Sequence, residues 1–278
     1  MREKRRRRWM GLATVLDLKP QGFFIPHRYA QAVSPPASYK AAEAFLAGGR
    51  ESFAEVLRLI DGFAAALAAI PAEAEAPSPR WSQDWFPRLD AAAAYALIRA
   101  RKPATVVEVG SGHSTRFLAR AIADGGLGTR LVSIDPEPRA ALAGLPVTWR
   151  REAVQQAPLG LFQGLAPGDA LFIDSSHILM PGSDVDHLVN AVLPALKPGV
   201  LVHIHDIFLP DRYPGEWDWR GFNEQQAVLA LVQGGAYAPV FSSRYAVTRM
   251  GDALGKCAVA RLPLPPGAFE SSLWLEKR

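Results

Sequence analysis

The stretch VVEVGSGHSTRF, residues 106–117, decides the fold of this chain. Its apolar first part, which extends back to Ala104, is rich in β-branched residues without polar alternation, as is typical of a strand covered on both faces in a parallel sheet. Gly110 and Gly112 then permit a tight turn that leaves room for a ligand. An amphipathic helix follows, with Ser114 as its predicted cap. The loop amides are therefore predicted to point at a ligand above the strand end.

The details of this turn distinguish between two classes of cofactor. A dinucleotide-binding turn requires a glycine at the sixth position, but that position, counted from Gly110, is Thr115. The next predicted strand, residues 131–135, ends in Asp135, where such folds place a ribose-binding carboxylate. An Asp followed by Pro also suits a helix start, and the two roles are compatible. The pattern therefore disfavours NAD and makes Asp135 a candidate cofactor ligand.

Strand and helix patterns alternate along the rest of the chain, which predicts a parallel sheet with helices on both faces. Further strands are predicted at 147–149, 170–174 and 200–205, and helices near 138–142 and at 184–196 and 223–232. The segments 237–241 and 271–277 are expected to form an antiparallel closing pair. The predicted fold is α/β: a doubly wound, Rossmann-like, mostly parallel seven-stranded sheet with an antiparallel C-terminal strand.

The N-terminal part is predicted to be a helical cap on this sheet. A helix begins near Ser52, which could form a capping box with Glu55, and a second helix leads into the first strand. We predict one unit at residues 1–80, with a basic tail, an extended arm at 22–30 and the helical cap. Residues 81–278 are predicted to form the main domain.

Composition limits the classes of function. The chain has 278 residues, 49% of them hydrophobic, which is ample for a core. Its +4 net charge is concentrated in the opening MREKRRRR, predicted to be a disordered tail, so no basic body indicates nucleic-acid binding. We find no signal peptide and no apolar stretch long enough to span a membrane. The single cysteine, Cys257, cannot form an internal disulfide, which favours a reducing, cytoplasmic setting.

Polar side chains follow two neighbouring strands of the predicted sheet. The fourth strand leads into Asp174-Ser175-Ser176-His177, and the fifth ends in His203-Ile204-His205-Asp206. In a doubly wound sheet the ligand lies outside the carboxyl ends of the strands. Asp174 and Asp206 are therefore candidates to share a divalent cation, with Mg²⁺ favoured by the two carboxylates and a transition metal favoured if His205 also binds.

Simpler roles remain for several of these residues. Asp174 could cap a turn, and His203, inside a strand, is better explained as a packed or hydrogen-bonded histidine than as a ligand. The aromatic residues Tyr213, Trp217 and Trp219 are predicted to form a wall over a bound substrate or to pack against the N-terminal helices.

Segments spread over residues 81–230 resemble bacterial class I S-adenosylmethionine (SAM) methyltransferases related to cephalosporin-hydroxylase-like and macrolide-sugar O-methyltransferase proteins. The segments are WSQDWFPRLDAAAAYALIR, EVGSGHSTRF, LFIDSSH, LKPGVLVHIHDIFLP and FNEQQAVL. The resemblance implies that SAM is the cofactor. It also implies that SAM is bound at the glycine turn and the second strand end, by Glu108, Gly110, Ser111, Gly112, Ser114 and Asp135.

The same resemblance implies roles for the residues at the later strand ends. Asp174 and Asp206 would bind a metal, and His177 would be the general base. His205 is the next candidate base because it lies on the same strand-end surface, beside Asp206. The sequence departs from the relatives at HIHD, where they often carry a second acidic or amide ligand beside the last acid. The implied activity is methylation of a hydroxyl on a small-molecule acceptor. A nucleotide-dependent oxidoreductase or hydroxylase-like enzyme and a non-catalytic scaffold are the alternatives, and a homo-oligomer is compatible with each.

Overall fold

A computed structural model describes residues 2–19, 28, 32 and 34–278 of the chain. In this part of the chain, seven strands form one sheet: β1 (Thr105–Val109), β2 (Arg130–Ile134), β3 (Thr148–Arg150), β4 (Ala170–Ile173), β5 (Leu201–Ile204), β6 (Tyr237–Ser242) and β7 (Leu273–Lys277). Their order is β3-β2-β1-β4-β5-β7-β6. The first five are parallel, and β7 runs antiparallel to both β5 and β6. The predicted α/β fold is confirmed.

The strand order determines where a ligand can bind. The chain winds outward from β1 toward β3 and then returns to β4 and β5 on the other side, so the direction reverses between β1 and β4. Val109 is paired with Ile173, and Ile173 with Ile204, so these strands end at the same level. The crevice beyond the strand ends at this reversal is the usual ligand position in doubly wound sheets.

Helices cover both faces of the sheet. They are α1 (Arg2–Val15), α2 (Lys40–Ala47), α3 (Arg50–Gly62), α4 (Ala64–Ala68), α5 (Arg88–Arg101), α6 (His113–Asp124), α7 (Leu159–Gln163), α8 (Asp184–His187), α9 (Leu193–Ala195), α10 (Glu224–Gln233), α11 (Ser243–Arg249) and α12 (Gly251–Lys256). A π-helical segment, Leu188–Val192, joins α8 to α9, so the helix predicted at 184–196 is one helical run. Short 3₁₀ helices occupy Val154–Gln156, Gly215–Arg220 and Ala258–Arg261. In the described residues, no helix is long and apolar enough to cross a membrane.

The N-terminal helices share the hydrophobic core of the sheet. Helix α3 packs against α5 and β6, and its Phe53 ring meets the Phe241 ring edge-on, with 6.0 Å between the ring centroids. Phe53 and Phe241 are both fully buried. The domain boundary after residue 80 stays a prediction.

Two serines differ from their predicted capping roles because each hydroxyl bonds to another part of the fold. Helix α3 begins at Arg50, and Ser52 donates to the backbone oxygen of Val240 at 2.8 Å. Helix α6 begins at His113, after Gly112, and Ser114 donates to Glu108. Both capping predictions are wrong.

Two further local predictions are also wrong. The segment 138–142 is irregular, with a bend at residues 139–140. Only a few residues separate Pro138 from Gly144, too few for a stable helix. The opening basic segment is helical, in α1, and Arg7 donates to the backbone oxygen of Arg220 at 2.6 Å. Arg and Lys are good helix formers, so a contact with the body can stabilise this helix. The predicted arm at 22–30 lies outside the described residues, apart from residue 28.

Candidate active site

A cavity of about 470 Å³ opens beyond the carboxyl ends of β1, β2 and β4. The loop after β1 contributes Gly110 and Ser111, β2 leads into Asp135, and β4 leads into Asp174. Arg139 forms part of the outer wall. We refer to this space as the first cavity; it lies at the point where the winding of the sheet reverses.

Gly110 cannot carry a side chain in this arrangement. Its φ is +78°, and a Cβ atom built on it would lie 2.1 Å from the backbone oxygen of Asp174. The end of β4 is held against this loop because the amide of Asp174 donates to the Val109 oxygen at 2.8 Å. Glycine therefore allows the loop to turn and to touch the neighbouring strand end.

Asp135 holds the loop from the second strand. Its Oδ2 accepts hydrogen bonds from the amide and the hydroxyl of Ser111, at 2.7 and 2.9 Å. Its Oδ1 accepts from the Glu137 amide at 2.8 Å, which forms the turn after β2. A carboxylate has about four acceptor positions, so Asp135 retains capacity for a ligand in the first cavity.

Glu108 supports the loop from behind. Its side chain is fully buried, and its two oxygens accept from the Ser114 and Thr115 hydroxyls, both at 2.7 Å. Thr115 in turn accepts from the Gly112 amide at 3.0 Å. Burial raises the pKa of Glu108 to about 7, although the hydroxyl donors oppose the rise. Glu108, Gly112 and Ser114 thus shape the loop, whereas Gly110, Ser111 and Asp135 form the wall of the first cavity.

A second cavity, also of about 470 Å³, adjoins the first and shares Asp174, Ser175, Ser176 and Arg139 with it. Polar side chains lie on its floor, which includes His177, His205 and Asp206. Its aromatic walls are formed by Trp85, Trp217, Trp219, Phe222 and Phe269. Two ligands, one in each cavity, would meet beside Asp174.

His177 lies among three carboxylates on the floor of the second cavity. Its Nδ1 is 2.8 Å from Glu224 Oε2. Its Nε2 is 3.3 Å from Asp174 Oδ1 and 3.4 Å from Asp206 Oδ2. The backbone oxygen of His177 accepts from the Asn223 amide at 3.0 Å, which brings the start of α10, and with it Glu224, to the imidazole ring.

His205 bridges the same acids from the other side. Its Nδ1 is 3.7 Å from Asp174 Oδ1 and 3.6 Å from Asp206 Oδ1, and its Nε2 is 3.4 Å from Asp90 Oδ2. Asp90 is fully buried in α5 and accepts from the amides of Ser271 and Ser272. We call the six side chains the histidine–carboxylate cluster: Asp90, Asp174, His177, His205, Asp206 and Glu224.

The backbone of the cluster adopts an uncommon conformation at two positions. His177 has a φ of +61° and Asp206 a φ of +54°. Non-glycine residues in this left-handed region are costly and concentrate at functional sites. The observation supports a functional role for the two strand ends.

The cluster changes the charge state of its histidines. Burial alone would lower the pKa of His177, but hydrogen bonds to Asp174 and Glu224 and the charge of Asp206 raise it to about 10. The pKa of His205 is likewise raised well above its usual value, against burial, by Asp206, Asp174 and Asp90. At neutral pH both imidazoles are therefore cationic, whereas an ordinary histidine pKa would make His177 neutral.

The geometry does not favour a metal ion between Asp174 and Asp206. Within residues 2–19, 28, 32 and 34–278, no group of three or more His, Cys, Asp or Glu side chains is arranged to hold a metal. His177 and His205 instead bridge the two acids and balance their charge. The metal-ligand assignment of Asp174 and Asp206 stays a prediction.

Sequence reasoning missed Asp90 and Glu224. Each is an acid in the first turn of its helix, Asp90 in α5 and Glu224 in α10. Acids are common at that position because they interact favourably with the helix dipole, so neither residue carries a local signal of a functional role. His203 packs in the core, where its ring stacks on that of Phe172 with 3.6 Å between the centroids and its Nε2 lies 2.8 Å from the Ser272 hydroxyl. The prediction that His203 is a packed, hydrogen-bonded histidine and not a ligand is therefore confirmed.

Two of the three aromatic residues predicted to form a wall over a bound substrate line the second cavity. These are Trp217 and Trp219. Tyr213 is buried behind that wall, where its hydroxyl accepts from the Gln225 amide at 3.3 Å. The two tryptophans are therefore the members of this group in a position to contact a ligand.

Comparison with known proteins finds a family model that matches part of the chain. Residues 107–207 match the family model described as a methyltransferase domain. This match includes the glycine turn and the two strand ends that carry Asp174, His177, His205 and Asp206. No curated protein sequence matches the chain.

Several solved structures are similar at low sequence identity. The O-methyltransferase from Bacillus cereus, in complex with SAH, is 15% identical over 81% of this chain and 91% of that chain, with a TM-score of 0.42. The O-methyltransferase TomG from Streptomyces achromogenes, involved in tomaymycin synthesis, was solved in complex with SAM. It is 18% identical over 80% of this chain and 89% of that chain, with a TM-score of 0.42. The branched-chain polyamine synthase from Thermus thermophilus is 16% identical over 80% of this chain and 64% of that chain, with a TM-score of 0.44.

Proposed function

We propose that the chain is a class I SAM-dependent methyltransferase, since residues 107–207 match a methyltransferase domain, and that it transfers the sulfonium methyl group of SAM to a hydroxyl oxygen of a small-molecule acceptor. The observation that carries this proposal is that the two cavities meet at Asp174. One is lined by the glycine turn and the other by the histidine–carboxylate cluster.

The first cavity fits the cofactor. Its volume of about 470 Å³ lies within the range of ligand pockets, ~300–1,000 Å³. Gly110 leaves the backbone open to a ligand, and the carboxylate of Asp135 is in a position to accept hydrogen bonds from ribose hydroxyls. When bound, SAM supplies an electrophilic methyl group. The chain's own contribution on this side is to orient that group toward Asp174.

The second cavity fits the acceptor. We place its hydroxyl against Asp174 and His177, where the two cavities join. The acceptor oxygen would bond to the methyl carbon as the carbon–sulfur bond breaks, and the hydroxyl proton would pass to the carboxylate of Asp174, because His177 is already protonated at neutral pH. Glu224 orients His177 through its contact at Nδ1. Holding two reactants in line is itself a large part of the catalytic effect in such transfers.

The acceptor's size and the compartment are also part of the proposal. A cavity of about 470 Å³ with aromatic walls suits a small molecule. The only cysteine of the chain, Cys257, is buried and free, which supports a reducing, cytoplasmic location. A homo-oligomer stays a prediction.

Cofactor binding tests the proposal against an NAD-dependent alternative. We expect SAM or SAH at a hundred times its dissociation constant to stabilise the protein by about 2.7 kcal/mol. For a chain of this size that corresponds to roughly 5–10 °C in melting temperature. NAD at the same concentration is expected to cause no shift. The measurement is a thermal-shift assay with calorimetric titration of each ligand.

Stabilisation by NAD alone would contradict the proposal and support an oxidoreductase. Release of SAH on addition of hydroxyl-bearing acceptors then distinguishes an enzyme from a scaffold. A protein that binds SAM but turns over with no acceptor in a broad panel would be assigned the scaffold role.

Chelation tests the divalent ion predicted from the sequence. Because His177 and His205 already balance the charges of Asp174 and Asp206, we expect methyl turnover to survive exhaustive treatment with EDTA. The measurement compares initial rates before and after treatment, with elemental analysis of the protein. Loss of turnover that added Mg²⁺ restores would instead support a metal between the two acids.

A further inference from the structure

Three arginines lie on the rim of the second cavity, although they come from distant parts of the chain: Arg7 in α1, Arg139 after β2, and Arg220 before α10. The guanidinium carbons of Arg7 and Arg220 lie 5.5 and 5.4 Å from the centroid of the same ring, that of Trp219. That of Arg139 lies 4.6 Å from the Trp85 ring. We call Arg7, Arg139 and Arg220 the arginine cluster.

The acids near the arginine cluster do not pair with it directly in the described residues. Burial lowers the pKa of Arg220, the charges of Asp206 and Glu3 oppose this effect, and the charges of Arg7 and Arg139 add to it. In the described part of the chain, none of the three guanidinium groups forms an ion pair with a carboxylate, although Glu3 and Asp84 line the same cavity. The buried Nε of Arg220 also has no hydrogen-bond partner there. An unpaired, partly buried guanidinium such as that of Arg220 is unfavourable, and an anion bound there would stabilise it.

Aromatic rings line the path between the arginine cluster and the catalytic floor. The Arg220 guanidinium lies 4.2 Å from the Trp217 ring, and Phe222 lies next to Arg220 on one side and 4.6 Å from the His177 ring on the other. Planar aromatic walls favour a ring in the ligand, because they offer large contact area and stacking. One cavity therefore joins a cationic rim, an aromatic middle and a proton-accepting floor.

We infer that the acceptor is an anionic ring compound, whose phosphate or carboxylate group binds the arginine cluster while its hydroxyl lies at Asp174 and His177. This inference rests on the proposed methyl transfer and names the substrate class for the same site. Arg220 and Arg7 are specific to the acceptor side, whereas Arg139 also lines the first cavity.

The test uses the full chain saturated with SAH and measures ligand binding by calorimetry. The probes are phenyl phosphate, benzoate, inorganic phosphate and phenol, which separate the anionic group from the ring. We expect phenyl phosphate or benzoate to bind at least about tenfold more tightly than phenol or inorganic phosphate. Arg220→Gln and Arg7→Gln should each weaken the preferred probe about 10- to 100-fold, as expected for loss of a charge-assisted hydrogen bond.

Arg5→Gln is the matched control, because Arg5 is an exposed residue of α1 that does not line the second cavity. It should leave the affinity unchanged. If SAH itself does not bind, the proposed function fails. Two results with SAH bound would overturn the anionic acceptor and leave the methyltransferase proposal standing. The first is that phenyl phosphate and benzoate bind no better than phenol. The second is that both arginine variants have normal melting temperatures and retain full affinity. If inorganic phosphate binds as tightly as phenyl phosphate, the ring requirement is overturned.

Discussion

Methyl turnover is expected to fall by about a hundred- to ten-thousand-fold when His177 is replaced by alanine, with SAH affinity retained. His177 lies on the floor of the second cavity, and its Nε2 is 3.3 Å from Asp174 Oδ1, where the two cavities join. Without the imidazolium, Asp174 loses the charged partner that holds its carboxylate where the acceptor hydroxyl binds, so both the position of the hydroxyl and the removal of its proton are impaired. Single-turnover rates with a responsive acceptor, together with SAH calorimetry, measure the two effects separately.

Stability must be measured alongside this variant, because removing His177 leaves the buried acids Asp206 and Glu224, and the half-exposed Asp174, without their shared cation. Loss of one partner of a buried charged pair costs about 3–5 kcal/mol. His177→Gln fills more of the space and retains a hydrogen-bond donor for Glu224, so it serves as the second variant. His187→Ala, on α8 and outside the cluster, is the histidine control and should turn over normally. Normal turnover in both His177 variants would contradict this role and make His205 the next candidate for it, since His205 contacts Asp174 and Asp206 as well.

Replacement of Gly110 by valine is expected to abolish SAH binding. A Cβ atom at this position would lie 2.1 Å from the Asp174 backbone oxygen, and the φ of +78° strains any residue other than glycine. The loop must therefore move away from β4, which distorts the wall of the first cavity. Calorimetric titration with SAH, after circular dichroism has shown that the variant is folded, measures the effect.

Gly128→Val provides the matched control, because a Cβ at Gly128 meets no atom within 4 Å. It should bind SAH like the original protein. Asp135→Asn tests the same cavity without adding bulk, since it removes the charge that holds the Ser111 amide and hydroxyl. A folded Gly110→Val protein with unchanged SAH affinity would remove the basis for placing the cofactor in this loop.

Local sequence patterns determined most of the fold. The unbroken apolar run that becomes β1 and the glycine turn before α6 are both local features, and the structure has them in the predicted places. The positions of β6 and β7 were also predictable, whereas their antiparallel pairing was expected only from the resemblance to methyltransferases. Periodicity and turn residues act over a few positions, so they can be read without knowing the tertiary structure.

Local patterns failed where a side chain bonds to a distant part of the chain. Ser52 and Ser114 both have the residue type of a helix cap, yet their hydroxyls bond to Val240 and Glu108. The opening segment has a disordered composition, but Arg7 contacts Arg220, 213 positions away. Such contacts compete with local preferences, and their energies depend on distances that only the folded chain defines.

The candidate site also combines residues that the sequence identified with residues that only the folded chain reveals. The rule that ligands bind beyond the carboxyl ends of parallel strands was enough to select Asp174, His177, His205 and Asp206 from the sequence. It did not identify Glu224, 47 positions from His177, or Asp90, 115 positions from His205. Only the tertiary structure decided that both imidazoles are cationic and bridge the acids, because a pKa depends on burial and on the charges packed around the group, whatever their separation along the chain.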